Sequence, residues 1–102
     1  MNANEYGLTH NLNVAYDLSG YTGLVITYTR PDKSTFTAAS PLVQINASPY
    51  NAAVGTFAGN QYARYTFVNG DLTVPGVYSA RLTYTDQSKR LISDVVSFTV
   101  NP

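Results

Sequence analysis

His10 is the only histidine of the chain, and with the serines and aspartates it makes up the residues whose types could run acid–base or nucleophilic chemistry. A hydrolytic triad needs a nucleophile, a histidine base and an orienting acid converging in space. No Gly-x-Ser-x-Gly elbow occurs. His10 falls on the apolar-periodic side of its segment, the setting of a rim or hydrogen-bonded core histidine. Asp17, Asp32, Asp71 and Asp86 lie at expected turns, where aspartate bonds nearby backbone, and their spacing matches no calcium loop. Cysteine is absent, which removes zinc–thiolate sites, thiol nucleophiles and disulfides together. The expectation is a non-enzyme with no metal, cofactor or small-molecule substrate; a small hydrolase is the weaker reading, in which His10 would be indispensable.

Residues suited to binding give a different picture. Asn46-Ala47-Ser48 matches the N-glycosylation pattern, but Pro49 follows it and no secretion signal precedes it, so the match reads as coincidence. Nine tyrosines serve either as strand fillers or as binding surface. Tyr62 and Arg64 fall on the face opposite Ala63, Tyr65 and Phe67. Together with Tyr50, Asn51, Val54 and Phe57 just upstream they form the candidate protein interface. The same aromatics could serve a carbohydrate- or cell-surface-binding adhesion module, a reading weakened by the absence of tryptophan.

The elements that must position these residues are strands. Leu8 to Leu18 alternates Leu8, His10, Leu12, Val14, Tyr16 and Leu18 against polar positions, giving an opening strand or bent pair. Leu24, Ile26 and Tyr28 alternate with Val25, Thr27 and Thr29, and the run stops at the turn Arg30-Pro31-Asp32-Lys33-Ser34. Thr35 to Ala38 and Leu42 to Ile45 are short edge strands broken at Ser40-Pro41, since proline cannot donate to a central ladder. Gln61 to Phe67 follows, then Val77 to Thr85 with Tyr78, Ala80, Leu82 and Tyr84 inward. A turn at Asp86-Gln87-Ser88-Lys89 leads to Arg90 to Val100. Asn46 to Asn60 is the one long irregular stretch, of a length that usually serves a function or orders against a partner.

About seven short strands in this length, with turn signals every 8 to 12 residues, predict an all-β, immunoglobulin-like antiparallel β-sandwich, with a small β-barrel as chief competitor. The chain of 102 residues reads as one domain, 1–102. Composition agrees, being 44% hydrophobic and 12% charged, far from the disordered range. Six basic and six acidic residues cancel, so neither nucleic acid nor membrane is an expected partner. The opening Met1-Asn2-Ala3-Asn4-Glu5 has no signal-peptide character, which places the chain's assembly in a cytoplasm.

The most specific local feature is Asp71-Leu72-Thr73-Val74-Pro75-Gly76-Val77-Tyr78. In Greek-key sandwiches a tyrosine here returns its hydroxyl to the backbone upstream. Tyr78 fits that corner, with Pro75-Gly76 as the tight turn and Leu72 as the apolar plug. This segment, together with Asn11-Leu12-Asn13-Val14, Tyr16-Asp17-Leu18-Ser19, Leu24 to Asp32 and Ser97-Phe98-Thr99-Val100, resembles small immunoglobulin-like structural proteins of tailed bacteriophages. The N-terminal domains of baseplate upper proteins belong to that group. Lys33 departs from its pattern, in which glycine is usual after Pro-Asp. The resemblance implies a virion component of the tail, neck, baseplate or capsid surface, assembled in the host cytoplasm and released by lysis. Its implied partners are other virion proteins and further copies of itself.

Overall fold

The computed structural model describes residues 1–14, 17–19, 21, 23–40, 42–52, 55–85 and 87–102. Ten strand segments and no helix occur among them: β1 (Thr9–Asn13), β2 (Val25–Thr29), β3 (Thr35–Ala39), β4 (Gln44–Ile45), β5 (Tyr50–Ala52), β6 (Gly55–Phe57), β7 (Tyr62–Thr66), β8 (Gly76–Thr85), β9 (Arg90–Ile92) and β10 (Val96–Val100). The fold is an all-β sandwich. One antiparallel sheet runs β1-β7-β4 and the other β10-β8-β2-β3, with β9 beside β8; β5 and β6 form a separate hairpin.

Period-two patterning explains the core, because every second side chain of a strand points to one face. His10 and Leu12 from β1, Ala63 and Tyr65 from β7, Ile26 and Tyr28 from β2, and Tyr78, Ala80 and Leu82 from β8 are all buried. Rings span the two sheets. His10 meets Phe98 at 4.9 Å, which sets β1 over β10, and Tyr28 meets Tyr65 at 5.8 Å, which joins β2 to β7. Fully burying one such side chain is worth about 1.5–3 kcal/mol, so the ring cluster accounts for much of the cohesion between sheets.

Three expectations change. The opening run ends its ladder at Asn13; Val14 and Leu18 stay buried and donate instead to the Gln61 and Asn60 carbonyls, at 3.0 and 2.8 Å. The closing run divides into β9 and β10 because Ser93 interrupts it. Its N–H donates to Leu82 O at 2.9 Å, while its own hydroxyl takes the Leu82 N–H at 2.9 Å, so a side chain replaces a strand carbonyl. The stretch expected to be irregular, Asn46 to Asn60, contains the β5–β6 hairpin, with Tyr50 opposite Phe57 and Asn51 opposite Thr56. Tyr16, Pro41, Val54 and Asp86 lie outside the described residues.

Two turns set the geometry. β3 and β4 lie at the edges of their sheets. The turn into β3 has Lys33 at φ 74°, a left-handed conformation that favours glycine. Asp32 Oδ1 holds it by accepting the Ser34 N–H at 3.0 Å and the Ser34 hydroxyl at 2.6 Å. At the crossover from β7 to β8, the buried Tyr78 hydroxyl donates to Val74 O at 2.7 Å and accepts from Val74 N at 3.2 Å, over the buried Leu72. Gly76 is there for space as well as for turning. Its φ is 132°, and a Cβ on it would lie 2.7 Å from Pro31 Cγ.

Candidate protein interface

The hairpin is folded down on its own base. Asn60 N donates to Asn46 O at 2.8 Å, and Ser48 N to Asn46 Oδ1 at 3.0 Å. Gly59 makes the closure possible, since a Cβ at that position would fall 2.0 Å from Ala47 O. Tyr50, Phe57 and Tyr62 pack as three tilted rings with centroids 5.8, 6.1 and 5.9 Å apart. Thr56 Oγ1 donates to Asn51 Oδ1 at 2.9 Å across the hairpin.

The placement of the expected interface residues is therefore uneven. Tyr50 is 41% exposed; Asn51 is exposed and Phe57 half-buried. Tyr62 is a correction. Expected on a surface patch, it is 1% exposed, because the hairpin covers its ring and its hydroxyl donates to Ser48 O at 2.8 Å. Outward on β7 it would face solvent if the preceding segment did not bring Tyr50 and Phe57 over it. Val54 lies outside the described residues, and Arg64 is half-buried.

Arg64 belongs to a second part of this surface. On the outer side of β1-β7-β4 it stands opposite Asn11 on one flank and Gln44 on the other, with Thr9 opposite Thr66 one row along. The two threonine hydroxyls share a hydrogen bond of 3.0 Å. Here Thr9, Leu42, Gln44, Arg64, Tyr65, Thr66 and Val68 line a shallow groove of about 300 Å³. Sequence reasoning missed its apolar rim, Leu42 at 64% and Val68 at 53% exposure. Val68 follows the expected strand Gln61 to Phe67, where period-two counting assigns no face, and Leu42 opens the expected strand Leu42 to Ile45 yet lies outside β4; a large apolar residue next to a turn was the signal available.

Two of the residues singled out for chemistry, His10 and Asp71, point the other way, into the core, while Asp17 and Asp32 stay exposed at turns and accept the Ser19 and Ser34 N–H groups. His10 is buried against Phe67, Phe98 and Tyr28, and its Nδ1 shares a 3.0 Å hydrogen bond with the Tyr28 hydroxyl. Burial pulls its pKa down to about 4. Asp71 is buried too, its Oδ2 accepting from the Tyr65 hydroxyl at 2.7 Å and from Val68 N at 2.9 Å. Burial first, and then donation to this carboxylate, push the Tyr65 hydroxyl well above the usual tyrosine range. Arg30 spans the same corner, donating from Nε to Asp71 O at 3.0 Å while lying 4.6 Å from the Phe36 ring. Among the described residues, no group of three or more His, Asp or Glu side chains is placed to hold a metal ion. Compared with known proteins, the chain matches no family model, no curated protein and no solved structure.

Proposed function

We propose that this chain is an immunoglobulin-like interaction module that works without catalysis, as a structural component of a tailed-phage virion. Its partners are other virion proteins, met through the β5–β6 hairpin and the outer face of β7. The observation that carries the interaction reading is the division of labour among side chains. The titratable groups His10 and Asp71 are spent inside the core on Tyr28 and Tyr65, while the surface offers an exposed Tyr50 on the hairpin and, on the outer face of β7, a groove rimmed by Leu42 and Val68. An exposed aromatic anchor and apolar rim residues are what a protein partner uses.

The immunoglobulin-like assignment is supported by the strand order. Three strands, β1-β7-β4, face β10-β8-β2-β3, and the tyrosine corner stands at the crossover from β7 to β8, which parallels the two sheets and the E–F corner of that fold. Asn2 also forms a parallel bridge with Asn101 beside the last strand. The virion setting comes from the motif resemblance, carried by Leu24 to Asp32 and Asp71 to Tyr78. Immunogold electron microscopy of purified phage particles with an antibody against the chain tests it. Labelled particles are the expected result, and consistently unlabelled ones would overturn the virion assignment.

A further inference from the structure

The geometry points to a second association surface, the free edge of β3, with a second copy of the same chain as its occupant through antiparallel pairing centred on Thr37. It goes beyond the hairpin interface proposed above and does not depend on it.

The argument starts from which backbone groups β3 already uses. Arg30 N donates to Ser34 O and Ser40 N donates to Leu24 O, at 2.8 and 3.1 Å, and the register runs Thr29–Thr35, Thr27–Thr37, Val25–Ala39. In an antiparallel ladder the residues that exchange hydrogen bonds alternate with those that do not. The even residues of β3 therefore bond to β2, and the odd ones, Thr35, Thr37 and Ala39, aim their N–H and C=O groups away from the sheet. The Ala39 carbonyl is taken by Leu42 N at 2.9 Å. That leaves Thr35 and Thr37 with both groups outward and Ala39 with its N–H.

An edge of this kind is a template for another strand unless it is guarded by lysine, proline, a bulge or shortness. β3 has five residues, no charge and no proline, and its three odd side chains are all exposed. It is also rigid. Phe36 stacks on Tyr28 at 4.8 Å with 10° between the rings, under the Arg30 guanidinium, and a preordered edge loses little freedom on pairing.

Three features select a second copy in antiparallel orientation. Pairing about Thr37 sets odd residues against odd ones, so Thr37 exchanges two hydrogen bonds with its counterpart and each Ala39 N–H meets a Thr35 carbonyl. On the core side the same register sets each Phe36 against the other copy's Ala38, large against small. The charges of the Asp32-Lys33 turn fall at opposite ends of the ladder, with the two lysines roughly 27 Å apart along the strands; parallel pairing would place them side by side. The product is an isologous dimer with one continuous sheet, β10-β8-β2-β3 running into β3-β2-β8-β10 of the second copy.

Sedimentation equilibrium of the full chain from micromolar to millimolar concentration tests the association. Wild type should move from 11.1 kDa toward twice that mass. Thr37→Lys should stay monomeric with an unchanged circular dichroism spectrum, while Tyr50→Ala in the hairpin should dimerise like wild type. Because the chain has no cysteine of its own, register is tested by mild oxidation. Thr37→Cys should cross-link to a dimer, since counterparts across a hydrogen-bonded pair have Cα atoms about 5.5 Å apart. Thr35→Cys should not, because it faces Ala39. A wild type that stays monomeric throughout overturns the proposal. So does a dimer that survives Thr37→Lys but is lost with Tyr50→Ala, and equal cross-linking of the two cysteine variants overturns the register.

Discussion

Among the described residues, two aromatic clusters each tie a tyrosine hydroxyl to a backbone carbonyl. In the interior, His10, Tyr28, Phe67, Tyr78 and Phe98 interlock, and Tyr78 reaches Val74 O at 2.7 Å. At the hairpin, Tyr50, Phe57 and Tyr62 interlock, and Tyr62 reaches Ser48 O at 2.8 Å. The interior rings come from β1, β2, β8, β10 and the end of β7, so each contact closes a long stretch of chain and belongs to the cooperative unit. The hairpin rings lie within a dozen or so residues of one another in sequence, so their contacts stabilise a local unit that opens more cheaply than the whole. The same chemical device therefore fastens the fold in one place and a surface element in the other.

The largest expected effect tests the interior half of that comparison. Tyr78→Ala removes a fully buried ring and the corner hydrogen bonds, and should cost about 3–5 kcal/mol in urea denaturation. Tyr50→Ala, at an exposed ring of the other cluster, should cost under about 1 kcal/mol. Comparable losses would mean that the hairpin is part of the cooperative core.

Next comes protonation of the interior. His10 has a folded pKa of about 4 against 6.5 unfolded, so above pH 6.5 neither state binds the proton and the full stability is present. As pH falls from 6.5 toward 4 the unfolded chain takes up a proton that the folded chain refuses. The loss is about 1.4 kcal/mol per pH unit, roughly 3 kcal/mol in all. His10→Phe should flatten this part of the stability–pH curve by that amount, and an unchanged slope would show that the ring titrates as if exposed. The hairpin cluster has no histidine, so the protection of its amides, corrected for the intrinsic pH dependence of exchange, should hold steady across this range if the hairpin opens as a local unit.

How much of this was legible in the sequence depends on the range of the interactions. The inward faces of β1, β2, β7 and β8 followed from alternation alone, because a period of two is a local property of the backbone. So did the Tyr78 corner, whose bond spans four residues. Tyr62 was misplaced because its burial depends on Tyr50 and Phe57 folding back over it, and alternation assigns a face without saying what covers it. The hairpin was hidden by its composition: the Asn-, Ala- and Gly-rich stretch has weak strand propensity, and cross-strand pairs and ring packing override it. Asp71 was legible as a turn former, but not as the acceptor for Tyr65, because alternation points the Tyr65 ring into the core without saying that the turn six residues on folds back to meet its hydroxyl.

Asp71→Asn probes the corner where the interior cluster ends. The carboxylate accepts from both Tyr65 and Val68 N, and hydrogen bonds to a charged acceptor are worth about 1.5–3 kcal/mol. An amide keeps one acceptor oxygen, so a loss of about 2 kcal/mol is expected by urea denaturation, between those of Tyr78→Ala and Tyr50→Ala.

The smallest effect is the sharpest test of the division between the clusters. Tyr62→Phe keeps the ring in its place among Tyr50 and Phe57 and deletes only the hydroxyl that donates to Ser48 O. A neutral hydrogen bond of this kind contributes about 1 kcal/mol. That bond is broken in local opening of the hairpin and in global unfolding alike, so exchange at the hydrogen-bonded pair of the hairpin ladder should quicken by roughly fivefold, exchange in β2 and β8 with it, and the urea midpoint should fall. Tyr78→Phe, the matching deletion in the interior, separates the two units, because the Tyr78 bond to Val74 O stays made while a hairpin opens on its own. Exchange in β2 and β8 should then quicken and the midpoint fall, with exchange in the hairpin at its wild-type rate. Should Tyr78→Phe also quicken exchange in the hairpin, the two clusters would be one cooperative unit and the hairpin a part of the core rather than a fastened surface element.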